Sequence, residues 1–315
     1  MNVLLIGGPG SFINNLIIKL NKEGHRVYLL TGSRYEKLQY QKVFERYNFN
    51  YDNSIINEIF ESINPDVTIF MGTYDSNFKW INEETESVKY SGCLMNILMG
   101  YAMRCQGRFI YLSNEKVYGG HHEEDITEDI PTDPDTFRGM AYAQAEEMCD
   151  SFRKNRGLDV VVLRLDHVYS LSSKREEAQR ELVNRMCLEA LEKKTVTYTE
   201  GREVSLLYET DAIESIYRIV KANDHKYSLY NISASKPIGE KEIAEYVQEV
   251  MGEDVLLKEA EPETRRLVLS NRLYDSEIGN TFFCNVRDIA KKISDKMKKN
   301  AYVFLNGEEE KLPLL

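Results

Sequence analysis

Short apolar runs alternate with segments in which apolar residues recur every three or four positions, from the amino terminus to about residue 165. The first run, at residues 3–6, precedes a glycine-rich turn, and Phe12, Leu16, Ile17 and Leu20 then follow at helical spacing. Later runs predict strands at residues 26–30, 67–71, 109–112 and 160–163, separated by predicted helices at residues 35–47, 55–63, 83–104 and 137–155. Because these strands are apolar throughout, they predict a doubly wound parallel α/β sheet with helices on both faces.

The pattern loosens after Leu165. Helices are predicted at residues 176–193, 211–222, 239–251 and 286–299, and strands at residues 195–199, 204–208 and 227–232. We therefore predict one domain from residues 1–165, to which residues 203–235 return. Residues 166–202 and 236–315 are predicted to form a smaller C-terminal α+β lobe that binds the substrate.

The turn after the first strand is typical of a phosphate-binding corner. Gly7-Gly8-Pro9-Gly10 lies between a strand and a helix, an order that lets the backbone approach a pyrophosphate at the helix N-terminus. A short glycine motif alone also fits a plain turn, but here it opens a run of alternating strands and helices. We therefore predict a dinucleotide site in which Gly7, Gly10, Ser11 and Phe12 contact the cofactor.

Charge and composition narrow the classes of protein. The 315 residues include 40 basic and 51 acidic side chains, a net charge of −11 that disfavours binding to nucleic acid. No apolar run is long enough for a membrane span, and the chain begins with a strand rather than a signal peptide. Its five cysteines are scattered without a C-x-x-C pair. The acidic loop around His121-His122 could be taken for a metal cluster, but neighbouring loop residues seldom converge on one ion, so we interpret it as a solvated lid. We expect a cytoplasmic protein with reduced thiols and no metal.

Several segments resemble, in the same order, those of a known family. They are residues 7–10, 24–27, 65–67, 111–119 (Tyr-Leu-Ser-Asn-Glu-Lys-Val-Tyr-Gly), 126–129, 163–165 with 168–169, and 230–232. The family is the extended short-chain dehydrogenases/reductases of the NAD-dependent epimerase/dehydratase type. The resemblance implies a Rossmann fold, an NAD or NADP cofactor, and hydride transfer on a nucleotide-activated sugar. It also implies a homodimer formed through the helices at residues 83–104 and 137–155.

Two departures from the family pattern concern the cofactor. Ile13 stands where the third glycine of the motif is expected, which alters the packing of the helix on the strand. At the end of the second strand, Thr31-Gly32-Ser33-Arg34 replaces the acidic residue that would hold the ribose hydroxyls. Arg34 either pairs with a 2′-phosphate, which slightly favours NADP over NAD, or is a solvated loop residue. The resemblance also places Thr31, Ser33, Gly72, Ser113 and Tyr142 against the cofactor.

The catalytic Ser/Thr, Tyr and Lys of the family are all replaced. An ungapped match puts Asn114 at the Ser/Thr, Arg138 at the Tyr and Tyr142 at the Lys; a second register makes Tyr142 the Tyr and Glu146 the Lys. Arg138 and Tyr142 share a helix face. One hypothesis is a displaced dyad, with Tyr142 as acid/base and Arg138 lowering its pKa. The simpler interpretation is that both line the cleft or hold cofactor.

Glu115 and Lys116 occupy positions at which dehydratases of the family carry an acidic pair, so Glu115 either faces a substrate or belongs to a plain loop. Two functions therefore stay open. One is an epimerase/dehydratase-like enzyme for nucleotide sugars; the other is a catalytically inactive sensor or scaffold that binds a dinucleotide or a sugar nucleotide. Some members of the superfamily bind stem-loop RNA, a third possibility that the net charge of −11 disfavours.

Overall fold

The computed structural model describes residues 1–8, 10–32, 42–45, 54–73, 80–104, 106–119, 125–171, 175–179, 181–234, 236–261, 268–301 and 304. The strands are β1 Asn2–Ile6, β2 Arg26–Thr31, β3 Lys42–Glu45, β4 Val67–Phe70, β5 Arg108–Asn114, β6 Asp159–Leu165, β7 Val168–Tyr169, β8 Thr195–Tyr198, β9 Glu203–Val204, β10 Leu207–Tyr208, β11 Leu229–Ile232, β12 Ile238–Gly239 and β13 Leu256–Glu259. The helices are α1 Ser11–Lys22, α2 Ser54–Ile63, α3 Glu83–Arg104, α4 Phe137–Arg156, α5 Arg175–Ala178, α6 Leu182–Lys193, α7 Glu209–Lys221, α8 Glu240–Met251, α9 Arg272–Glu277 and α10 Val286–Lys299.

A parallel sheet of seven strands forms the centre of the fold, in the order β11-β6-β5-β4-β1-β2-β3. Every neighbouring pair in it is parallel. The strand order reverses beside β1, and in open sheets of this kind ligands bind at the carboxyl ends of the strands near such a reversal. The predicted doubly wound Rossmann-type sheet is confirmed.

Apolar side chains cover both faces of this sheet, as the uniformly apolar strands predict. One buried cluster joins α1, α7 and α9 to the sheet. A second joins α2, α3 and α4 to the opposite face. The strands are therefore buried on both sides, and polar groups reach solvent chiefly at the two edges where strands begin and end.

Residues beyond the main sheet form a smaller α+β lobe. Helices α6, α8 and α10 share a third buried cluster, and β13 pairs in parallel with β8 beside them. This lobe confirms the predicted fold class. The residue boundaries given above for the two domains stay a prediction.

The structure corrects three predicted elements. Residues 42–45, inside the predicted helix at 35–47, form the edge strand β3, because pairing with β2 overrides the local helical pattern; the rest of that prediction lies outside the described residues. The predicted helix at 176–193 is two helices, α5 and α6. The predicted strand at 204–208 is broken into β9 and β10. The short elements β7, β13 and α9 were not predicted.

Candidate functional site

The glycine corner joins β1 to α1 as predicted. Gly7 has a φ of 158°, which favours glycine, and its N–H donates to the Leu30 carbonyl oxygen at 3.1 Å. Gly10 precedes α1 with no side-chain cap among the described residues, and the first turn carries no acidic side chain. The N–H groups at such a helix end need acceptors, and together with the helix dipole they attract an anion. The corner has the electrostatics of a phosphate site.

Ile13 does not fill this corner. Its side chain is 3% exposed and belongs to the apolar cluster between α1 and the sheet. Among the described residues, no atom lies within 4 Å of a Cβ built on Gly8 or Gly10. The space before α1 is therefore open, and the chain's own residues fit a dinucleotide pyrophosphate there. Phe12, the neighbouring predicted contact, is half-buried against the same cluster.

A buried carboxylate links the corner to α7. The Ser11 hydroxyl donates to Glu209 Oε2 at 2.9 Å, and the Asn15 side-chain amide donates to Glu209 Oε1. Glu209 is only 4% exposed. Both donors lie near the start of α1, so Glu209 ties that end of the helix to α7.

Two of the remaining predicted cofactor residues lie at strand ends of the main sheet. Thr31 is fully buried at the end of β2, and Gly72 follows β4 with a φ of 153°. Ser33 and Arg34 lie outside the described residues, as does most of the acidic loop with His121 and His122.

Ser113 is part of an internal ion-pair network. Its hydroxyl donates to Glu146 Oε1 at 2.5 Å, and the Arg164 guanidinium donates to the same carboxylate at 2.6 and 3.0 Å. Arg164 also contacts the Tyr118 hydroxyl. The Glu146 carboxylate is thus buried and paired with Arg164. It is the residue that the second register puts at the Lys position.

A turn after β5 carries three of the predicted residues. Asn114 Oδ1 accepts from the Lys116 backbone N–H at 3.3 Å and caps a 3-10 turn at Glu115–Tyr118. Helix α4 lies directly on this turn, because a Cβ on Gly139 would stand 2.5 Å from the Lys116 carbonyl oxygen. The close approach at Gly139 fixes the first turn of α4 against Glu115 and Lys116.

Arg138 and Tyr142 are brought together with the tryptophan at residue 80. The Arg138 guanidinium carbon lies 5.1 Å from the Trp80 ring centroid and 5.9 Å from that of Tyr142. The Tyr142 ring also packs edge-on against Tyr90, with centroids 5.4 Å apart. Arg138 Nε is buried without a hydrogen-bond partner among the described residues. The Arg138 backbone N–H donates to Glu83 Oε2 at 3.3 Å, and its guanidinium lies over the two rings in a cation–π geometry.

Glu115 is a buried carboxyl group at the carboxyl edge of the sheet. It is 8% exposed, and its Oε2 has no hydrogen-bond partner in the described part of the chain. Burial, and secondarily the charge of Asp166, raise the pKa of Glu115 to about 7, against the opposing charges of Lys116 and Arg138. A carboxyl group that titrates near neutral pH is suited to proton transfer.

Asp166 is a functional candidate that the sequence reasoning missed. It is 2% exposed and accepts hydrogen bonds from the Ser233 hydroxyl at 2.7 Å, the His167 N–H at 2.7 Å and the Ser205 hydroxyl. Burial raises its pKa to about 6, although these hydrogen bonds oppose the rise. The sequence signal that could have found Asp166 is its place directly after the apolar strand β6, since Glu115 holds the same place after β5.

The described residues also bear on reactive thiols, metal ligands and membrane-spanning helices. Cys93, Cys149 and Cys187 are buried free thiols and Cys284 is an exposed one. The described residues contain no group of three metal-ligating side chains. Across the same residues, no helix combines the length and apolar character needed to cross a bilayer.

The fold and the glycine corner define a doubly wound dinucleotide-binding protein, and comparison with known proteins identifies its family. A model of the NAD dependent epimerase/dehydratase family matches residues 3–233. The chain belongs to this family, which confirms the resemblance found in the sequence.

Individual relatives are distant. The dTDP-D-glucose 4,6-dehydratase of Bos taurus is 23% identical over 249 residues, covering 74% of this chain and 68% of the bovine protein. The UDP-glucose 4-epimerase of Thermotoga maritima, solved with UDP-glucose, has 17% identity and a TM-score of 0.77 over 96% of this chain and 100% of its own. The UDP-glucuronic acid 4-epimerase of Bacillus cereus, solved with UDP-glucuronic acid and NAD, has 16% identity and a TM-score of 0.77 over 95% and 100%. The structural matches establish a shared fold.

Proposed function

We propose that this protein is an NAD(P)-dependent enzyme acting on a nucleotide-activated sugar, and that Glu115 carries the proton in place of the missing tyrosine. The observation that supports it best is the buried Glu115 carboxyl, with one oxygen lacking a partner among the described residues and a pKa raised by burial to about 7. Family membership supplies the cofactor class. The names of the relatives supply the substrate class.

In the proposed reaction, the α1 N-terminus, Glu115 and Arg138 have different roles. The α1 N-terminus holds the pyrophosphate, and a bound nicotinamide would supply the hydride acceptor. Oxidation of a sugar hydroxyl to a carbonyl releases one hydride and one proton. Glu115, as a carboxylate, accepts the proton from the hydroxyl oxygen and returns it when the carbonyl is reduced. Arg138, whose charge favours the ionised form of Glu115 and whose Nε has no partner among the described residues, attracts that carboxylate and the oxygen atom.

Glu115→Gln tests this role against the dyad of Tyr142 and Arg138. With a substrate found by screening nucleotide sugars, we expect turnover to fall at least a hundredfold in E115Q, the usual contribution of a general base. We expect Tyr142→Phe to retain most turnover, because Tyr142 then only lines the cleft. Loss of turnover in Y142F with activity retained in E115Q would restore Tyr142 as the acid/base, and Asn114→Ala tests the third replaced position.

The choice of cofactor is part of the proposal, with NADP slightly favoured over NAD. Isothermal titration calorimetry with both cofactors, in the natural protein and in Arg34→Ala, decides it. If Arg34 pairs with the 2′-phosphate, R34A weakens NADP binding about tenfold and leaves NAD binding unchanged. Equal losses for both cofactors would exclude that contact.

A catalytically inactive binding protein is the second candidate. The specific observation in its favour is that the ungapped match puts Arg138, a permanent cation, at the position of the family's proton-transferring tyrosine. A protein that binds cofactor and nucleotide sugar in calorimetry, yet forms no product from any sugar bound, would be this sensor or scaffold.

We also propose a cytoplasmic homodimer formed through α3 and α4. Both helices expose apolar side chains on their outer faces: Val88, Met95, Met99 and Met103 on α3, with Phe137 and Met140 on α4. Such a patch favours a partner. Met99→Glu should convert a dimer into a monomer in light scattering at micromolar concentration, whereas the control Leu256→Glu, at an exposed residue of the lobe, should not. A monomeric natural protein would exclude the dimer.

A further inference from the structure

We propose that Asp166 is a positioning residue that sets the proton affinity of Glu115; this rests on the proton-transfer role proposed for Glu115. The placement follows from the sheet. Strands β5 and β6 run in parallel with Asn114 opposite Leu165. Glu115 and Asp166 directly follow these two strand ends, so the register brings two acidic residues to neighbouring positions, where the charge of Asp166 acts on Glu115. Both are more than nine-tenths buried.

Asp166 is held in place from three directions. Its backbone N–H donates to the Ile232 carbonyl oxygen of β11 at 2.9 Å. Its side chain accepts from Ser233, which follows β11, and from Ser205, which lies between β9 and β10. These hydroxyl donors stabilise the ionised form of Asp166. The carboxylate is therefore fixed beside Glu115 by residues of the main sheet and of the segment that leads into α7.

The charges around the pair show why Asp166 matters to Glu115. Lys116 on the same turn and Arg138 on α4 favour the ionised form of Glu115, and Asp166 is the anion that opposes them. His167, whose pKa is lowered by burial and by the charges of Lys116 and Arg202, adds no positive charge near neutral pH. Without Asp166, only burial would oppose the two cations, and the pKa of Glu115 would fall.

Two adjacent buried carboxyl groups titrate as a pair, because ionisation of one disfavours ionisation of the other. Asp166, supported by its hydroxyl donors, ionises first. Glu115 then keeps its proton to higher pH, which makes its carboxylate a stronger base when it forms. Asp166 acts on the reaction only through Glu115.

Carbon-13 NMR of the side-chain carboxyl groups measures this directly in the protein without ligand, with Glu115→Gln and Asp166→Asn assigning the two signals. In D166N we expect the Glu115 titration to move to lower pH by about one pKa unit, a tenfold loss of proton affinity. Asp275→Asn, which removes a half-buried carboxyl in α9, is the control and should leave Glu115 unchanged. An unchanged Glu115 titration in folded D166N would overturn the proposal.

If D166N does not fold, Ser205→Ala tests whether Asp166 sets the proton affinity of Glu115. Loss of one donor should move the Asp166 titration to higher pH and, because Asp166 is then less ionised where Glu115 titrates, move the Glu115 titration to lower pH. A merely structural Asp166 would shift alone, and that result overturns the proposal. These titrations need no turnover. A Glu115 signal that responds to D166N while E115Q keeps full activity would refute the proposed function and leave the coupling intact.

Discussion

Strands β5 and β6 carry ionisable residues at both of their ends, and the two ends favour opposite protonation forms. At the amino edge, Arg108 of β5 pairs with Asp159 of β6 at 3.0 Å, and His225 contacts the same carboxylate at 2.6 Å. At the carboxyl edge, two like groups, Glu115 and Asp166, directly follow the paired strand ends, and the charge of Asp166 acts on Glu115. The hydrogen bond to Asp159 raises the pKa of His225, so the amino edge favours charged forms, whereas burial at the carboxyl edge favours neutral ones.

This difference distinguishes the structural ion pairs at the amino edge from the two carboxyl groups proposed for proton transfer at the carboxyl edge. Arg108 also donates to the carbonyl oxygens of Ile219 and Ala222 at 2.7 Å each, so its charge is fully used in holding α7 to the sheet. Glu115 keeps an oxygen without a partner among the described residues. Buried groups with a perturbed pKa cluster at functional sites, which is why the proton-transfer role is proposed for Glu115.

The largest expected effect is on stability at the carboxyl edge. The pKa of Glu115 rises from an ordinary 4.5 to about 7 on folding, so the folded state binds its proton more tightly than the unfolded state. The natural protein should therefore lose roughly 3 kcal/mol of unfolding free energy, relative to Glu115→Gln, as pH rises from 4.5 through 7. Urea unfolding at several pH values measures it. Glu147→Gln, at an exposed residue of α4, is the control; curves of E115Q that run parallel to those of the natural protein would contradict the expectation.

A substitution at the amino edge should act in the opposite direction. Arg108→Met removes a buried cation and leaves two carbonyl groups and Asp159 with fewer partners. We expect a loss of roughly 2 kcal/mol in unfolding free energy, at the lower end for a buried pair because Asp159 is partly exposed. Arg156→Met, at an exposed position near the end of α4, should change stability by less than about 0.5 kcal/mol. Equal effects of the two substitutions would mean that the Arg108 contacts contribute nothing.

The smallest effect concerns His225. Its raised pKa means that protonated His225 stabilises the fold, fully below its ordinary pKa of 6.5 and progressively less as pH rises through the higher folded value. His225→Asn should remove about 1 kcal/mol or less at pH 6 and almost nothing at pH 9. Chemical unfolding at these two pH values checks the sign, and a larger loss at pH 9 would show that the pair with Asp159 acts without the charge.

The sequence predicted elements well where apolar periodicity was strong. Helix α3 was predicted with its observed ends, and β5 extends the prediction by only one residue at its start and two at its end. The prediction failed at residues 42–45, where pairing with β2 decides the structure. Periodicity describes one segment at a time and carries no information on which strand will be adjacent.

The candidate site was predicted only in part, for a related reason. Family motifs located Asn114, Arg138 and Tyr142 through their spacing along the chain. Asp166 matched no motif, and its importance comes from the register that sets it beside Glu115. Trp80 likewise belongs to no motif and meets Arg138 through tertiary packing.

Trp80 gives the site an optical property. It is the one tryptophan of the chain, and its ring lies against Arg138 and within 6.1 Å of the Tyr142 centroid. Tryptophan emission depends on neighbouring charges and rings, so the tryptophan fluorescence of the protein comes from a reporter beside Arg138 and Tyr142. Emission excited at wavelengths that tyrosine does not absorb therefore reports on the surroundings of these two residues without an added label.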